Sequence, residues 1–308
     1  MKVAFFGTPE FALAALKALH SSSHQLVGAV TAIDKPRGRG RNLVPTPVAL
    51  EAEKLGLPVL KPVDLRHSDF LASLSAWGAD VFAVVAFRIL PEEVFSMPAS
   101  GSINLHASLL PAYRGAAPIQ WALWEGEKET GVTTFRIERA VDTGNILKQR
   151  RVEILDTDDA GSLAERLSFL GADLLVETMT ELECGSLRSL PQDNSLATPA
   201  PKISKDHCRI DWSRSAQEIH NQVRALSPDP GAFTGFDDQI VKIFRTQVGA
   251  DRGKINIAEL HVDEQGMIAG TGRGDLHILE LQAQGKKRMD VKTFLRGFRP
   301  RGVFNLTT

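Results

Sequence analysis

Cysteine is nearly absent: Cys184 and Cys208 are the only two among 308 residues, and neither stands at metal-ligand spacing from a second ligand. That scarcity argues against a disulfide framework and a structural metal site, and makes a reducing cytoplasm the expected location. Long apolar runs are missing as well. None approaches the roughly 20 residues a membrane span needs, and the opening "MKVAFFGTPEF" has neither the apolar length nor the cleavage site of a signal peptide. No membrane partner is expected, and nothing requires more than a monomer. Phosphate loops are missing too. "FFGTPEFA" stands where a dinucleotide fold would keep one, yet it lacks the G-x-G-x-x-G spacing, and no Walker sequence occurs. Gly7 reads as a tight strand-to-helix turn, and nicotinamide or ATP chemistry is not expected. Finally, neither Ser102 nor Ser108 sits in a G-x-S-x-G elbow, so covalent acyl-enzyme chemistry is a weak rival.

What is present is ordinary soluble composition, 43% hydrophobic and 24% charged, in a chain long enough for two cores. The net charge of −1 hides an asymmetry: residues 1–201 hold 19 Lys and Arg against 24 Asp and Glu, and residues 202–308 hold 17 against 13. Basic residues cluster at Lys35, Arg37, Arg39 and Arg41, and again at Lys286, Lys287, Arg288, Lys292, Arg296, Arg299 and Arg301. Two such patches fit a polyanionic partner or a solvated face.

Apolar runs at 2–6, 25–30, 80–87 and 102–106 alternate with helical patterns at 9–20 and 46–55, which predicts βαβ units and a mostly parallel sheet. Strands at 131–138 and 145–154 flank the turn "AVDTG", and a helix covers about 159–184. Prolines and serines at 185–205 have linker composition. Beyond it, Ser215 and Glu218 form a capping-box pattern, and short strands at 241–248, 255–262, 267–272 and 275–283 suggest a small barrel. The expectation is an α/β domain at 1–184, a linker at 185–205 and a β-rich domain at 206–308, with the basic stretch at 34–45 a flexible loop.

The stretch "INLHASLLPAYRGAAP" ends a strand with Asn104 and His106, which point to one face because strand side chains alternate. Such a pair can be satisfied by loop backbone alone. At the carboxyl end of a strand in an α/β sheet it also lies where ligands gather. Asp142, in the "VDTG" turn, adds an acid that can favour an imidazolium. An amide donor, a switchable proton donor and a carboxylate suit an oxyanion developing on a carbonyl. No serine or cysteine is needed when an amine nucleophile arrives with the substrate.

"GSINLHASLLPAYRGAAPIQWAL" and "VDTG" resemble the signature of the folate-dependent formyltransferases. The likeness runs in order through "FFGTPEFA", "KPRGRGRNLVPTPV", "TGVT", "KISKDHCRIDWS" and "QAQGKKRM", nearly the full length. It implies a Rossmann-like formyltransferase domain followed by an OB-like β-barrel. It also implies transfer from 10-formyltetrahydrofolate, with no metal, to the α-amino group of a methionyl initiator tRNA. Under it, Asn104, His106 and Asp142 are the catalytic residues, and Ser108, Leu109, Leu110 and Pro111 line the folate site. Arg37, Arg39 and Arg41 in the basic loop, with Lys286, Lys287 and Arg288, face the tRNA. A sugar-nucleotide acceptor, water as acceptor, or a non-catalytic RNA-binding module are the alternatives. One departure stands out: "VAFRILP" (85–91) is a residue shorter than the family's V-A-Y-G-x-I-L-P and lacks its glycine, so a changed backbone is expected there.

Overall fold

In the computed structural model, residues 1–37, 42–236, 239–249, 255–264, 266–298 and 302–307 are described, and they divide into two compact units. The first holds 1–116, 129–153 and 164–200; the second holds 117–128, 154–163 and 201–308.

Apolar runs without alternation make the first unit's sheet. Its strands are β1 (Lys2–Gly7), β2 (Gln25–Val30), β3 (Val59–Leu60), β4 (Val81–Val85), β5 (Ser102–His106), β6 (Glu129–Arg136) and β7 (Ile146–Glu153). They lie in the order β7-β6-β5-β4-β1-β2-β3. β1 through β5 run parallel, and β6 and β7 join antiparallel. The two central strands are buried nearly throughout, as a sheet covered on both faces requires. Helices α1 (Leu13–His20), α2 (Pro47–Lys54) and α3 (Ser68–Ala76) are the crossovers. One face packs Phe6, Val30, Leu74, Phe82 and Val84 together, with the Phe6 and Phe82 rings 4.9 Å apart. The edge strand β7 is half exposed and carries charge: Lys148 and Arg150 each meet Glu177 at 2.6 Å.

In the basic stretch, Lys35–Arg37 pairs antiparallel with Asn42–Val44, and Lys61 Nζ meets Asp34 Oδ1 at 2.9 Å at its base. Arg39 and Arg41 lie outside the described residues. The segment expected as a linker differs from expectation through residue 200: it packs along the first unit, where Pro199–Ala200 pairs in parallel with Arg114–Gly115.

The second unit gathers α4 (Pro118–Trp124), the first turn of α5 (Ala160–Glu183), α6 (Ala216–Leu226) and α7 (Val291–Phe298) around a curled antiparallel sheet. Its strands are β8 (Ala232–Phe236), β9 (Gln239–Val248), β10 (Glu259–Val262), β11 (Met267–Gly270), β12 (Asp275–Ala283) and β13 (Gly302–Asn305). The order is β8-β9-β12-β11-β10-β13, and a bridge between Gly235 and Thr307 joins the two edges. That joining gives the barrel its closure. Trp212, Ile219, Val223, Leu226, Ile243 and Leu276 fill the core, and the Trp212 indole donates to Thr234 Oγ1 at 3.0 Å. No helix among the described residues is long and apolar enough to cross a membrane.

Candidate active site

Because β1, β4 and β5 are parallel neighbours, their carboxyl ends share one edge of the sheet. Strand order reverses between β1 and β4, which makes that edge the topological switch point. Gly7, the turn at Ala86 and the pair Asn104/His106 all end there. The turn at Ala86 opens the stretch that lacks the family's glycine. Ala86 itself takes φ 49°, a left-handed conformation costly for a residue with a Cβ. The next residues hold it: Phe87 packs edge-on to Phe6 at 5.6 Å, and Arg88 donates to the carbonyls of Val63 and Pro62 at 2.9 and 2.6 Å.

In β5, Asn104 pairs across the sheet with Val84 and Phe135, and His106 with Thr133. Among the described residues the Asn104 carboxamide, half-buried, has no hydrogen-bond partner. His106 is fixed from both sides. Its Nε2 donates to the Tyr113 carbonyl at 2.9 Å, and its Nδ1 lies 3.8 Å from Asp142 Oδ2. The two side chains are only 7% and 9% exposed. A carbonyl partner requires Nε2 to carry a proton, which leaves Nδ1 as the nitrogen facing the carboxylate. At 3.8 Å it attracts the carboxylate without a direct hydrogen bond. Asp142 Oδ2 is itself anchored by the Gly115 N–H at 2.8 Å.

Two glycines make this geometry possible. A Cβ on Gly144 would stand 1.8 Å from the Arg136 carbonyl oxygen, so the "DTG" turn admits no side chain there. Gly115 takes φ 130°, and a Cβ on it would meet the Ala200 carbonyl oxygen at 2.5 Å. Behind the turn, burial pushes the Arg136 guanidinium down in pKa while it donates to the Ser100 carbonyl.

The segment implied as folate-lining is built as a tied loop. Ser108 is buried, and its hydroxyl donates to the Ala112 carbonyl at 2.6 Å. Thr133 Oγ1 donates to the Ser108 carbonyl and accepts from Leu110 N–H, while Gln149 Nε2 donates to the Leu110 carbonyl at 2.8 Å. Leu110 is buried, and Leu109 and Pro111 are half-buried. Gln149 escaped the sequence reading, since a polar residue on an edge strand carries no signal of its own.

The described basic residues are divided between the two units. Arg37 ends a short strand, and Lys286 and Lys287 are exposed at the turn after β12. Arg288 is already engaged: it forks onto Glu280 at 2.7 and 2.8 Å and stacks on Phe244 at 4.5 Å. That ion pair holds the Glu280 carboxyl below its usual range.

Two family models match the chain, "Formyl transferase" over residues 1–179 and "Formyl transferase, C-terminal domain" over 202–299. The chain is 44% identical to a methionyl-tRNA formyltransferase of Porphyromonas gingivalis, over 97% of its own length and 96% of the relative's. It is 42% identical to the methionyl-tRNA formyltransferase of Desulforamulus reducens, over 96% and 95%. Among solved structures it is similar to a sugar 3N-formyl transferase, WlaRD, crystallised in the presence of dTDP and 5-N-formyl-THF. That likeness has a TM-score of 0.68 at 19% identity, covers 93% and 99% of the two chains, and extends to the fold alone.

Proposed function

This chain belongs to the formyl transferase family, and we propose that it transfers the formyl group of 10-formyltetrahydrofolate to the α-amino group of methionyl initiator tRNA. Formyl transfer to methionyl-tRNA is the activity its full-length relatives are named for. The observation that carries the reading is the held His106, with Nε2 on the Tyr113 carbonyl and Nδ1 facing Asp142, beside an Asn104 carboxamide without a partner.

In the reaction the methionyl amine attacks the formyl carbon. A C–N bond forms, and the carbonyl electrons move onto oxygen. Asn104 and His106 stabilise that oxyanion. The electrons then return, the bond to the folate nitrogen breaks, and the amine's proton leaves toward Asp142, directly or through water, as the folate nitrogen is protonated. The folate would lie against the loop Ser108–Pro111. With Ser108 and Leu110 turned inward, the backbone of that loop and the half-buried Leu109 and Pro111 offer the contact surface. Lys286 and Lys287, with the basic residues Arg37, Arg39 and Arg41, supply phosphate contacts for the tRNA. The catalytic module is assigned to 1–184 and the tRNA-binding module to 206–308, with 185–205 joining them and held against the first unit through residue 200.

The test is formyl transfer from 10-formyltetrahydrofolate to charged initiator tRNA, with elongator methionyl-tRNA and water-only controls. Formylation confined to the initiator is expected. Folate turnover without formyl-tRNA would assign another acceptor and remove the tRNA from the reading. His106→Ala should lose turnover while retaining tRNA binding.

A further inference from the structure

The segment 190–200 crosses the first unit as a strap with little apolar burial. Leu190 and Leu196 are 65% and 64% exposed. Polar contacts therefore fix its course. Leu190 exchanges two backbone hydrogen bonds of 2.8 Å with Ile146, and the Arg114 N–H donates to the Thr198 carbonyl at 2.8 Å.

Its side chains converge on the two groups that flank His106. Tyr113, whose carbonyl accepts from Nε2, donates its own N–H to Thr198 Oγ1 at 2.8 Å. Asp142, whose carboxylate faces Nδ1, offers its carbonyl to Gln192 Nε2 at 2.9 Å, and the same nitrogen donates to the Gly144 carbonyl at 2.7 Å. Both hydrogens of one carboxamide thus span the turn. The oxygen end is equally committed: Gln192 Oε1 accepts from Arg114 Nε at 3.1 Å and Nη2 at 2.6 Å. Arg114 Nη2 also donates to Asn194 Oδ1 at 2.8 Å. With donors on one side and two acceptors on the other, Gln192 has a single satisfying orientation. Asp142 stands at φ 56°, in the left-handed region that aspartate visits more readily than most residues, and Gln192 ties the turn at that point.

We propose that Gln192 is a positioning residue that sets Asp142 against His106, so that the strap 190–200 belongs to the catalytic apparatus. The inference rests on the reading of Asn104, His106 and Asp142 as the reacting set. Both ends of the Gln192 carboxamide are already committed within the protein. It acts through the turn, and Arg114 and Thr198 complete the hold on the opposite side of the imidazole.

The experiment is a double-mutant cycle read by single-turnover formyl transfer in the full chain. Gln192→Ala should lower the rate by about 10–100-fold, the usual cost of losing an orienting partner, with KM for tRNA and folate within about twofold. Gln192→Glu, nearly isosteric but aiming oxygen at two carbonyls, should lose at least as much while melting at the same temperature. In an Asp142→Ala background, Gln192→Ala should add less than about twofold, because residues acting as a unit are not additive. An unchanged rate for both Gln192 variants, or a full additional loss in the Asp142→Ala background, overturns the proposal. Wild-type activity in Asp142→Ala alone is a different result, which overturns the reading of the site itself.

Discussion

The Ser108 hydroxyl lies buried and donates within its own loop to the Ala112 carbonyl, which leaves it badly placed to attack a formyl donor. Ser108→Ala should therefore keep formyl transfer within about tenfold of wild type, in a steady-state assay. A loss of about 10⁴-fold or more, the scale seen when a true nucleophile is removed, would restore the acyl-enzyme route. The neighbouring residues differ in how far the sequence discloses them. Asn104 and His106 are legible because strand alternation puts them on one face at the end of an apolar run. Asp142 is less so, since aspartate is common in turns. Gln192 is not legible: its partners are backbone carbonyls 50 and 48 residues away, and carbonyls have no residue type to read.

α6 shows how a local motif becomes an element. Ser215 Oγ accepts from the Glu218 N–H, and the Ser215 N–H donates to Glu218 Oε2 at 2.9 Å. The Ser215 hydrogen bonds, aided by Arg214, hold the Glu218 carboxyl below its usual range. A carboxyl depressed on folding contributes stability above its unfolded pKa and loses it as pH falls through the folded value. Ser215→Ala should accordingly cost about 0.5–2 kcal/mol at pH 7 in urea denaturation, and less once the pH falls below the carboxylate range. Elements with such signals were readable: this cap, the strands at 25–30, 102–106 and 275–283, and the long α5. The expected strand at 255–262 is strand only from Glu259. α4 went unread because its N-cap is Ala117, which offers no side-chain acceptor, and its "PIQWALW" is too short to establish a period. β3, of two residues, exists only by pairing with β2.

Over the whole molecule the charge asymmetry makes its own prediction. Lys286 and Lys287 are exposed, whereas Arg288 is tied to Glu280. Replacing both lysines with alanine should flatten the salt dependence of tRNA binding by about one to two units in log K against log salt, measured by fluorescence titration, and leave kcat intact. An unchanged slope would make that patch a solvated face. The division into units has a quieter consequence. Residues 117–128 and 154–163 belong with the second unit although they are encoded inside the first, and α4 buries Ile119, Ala122 and Leu123. No single cut yields two self-sufficient pieces. A ribosome making this chain releases α4 long before the strands of its own unit exist. For the same reason a gene fusion that borrowed only residues 201–308 would inherit the sheet without Trp124, the α4 side chain that packs against its core.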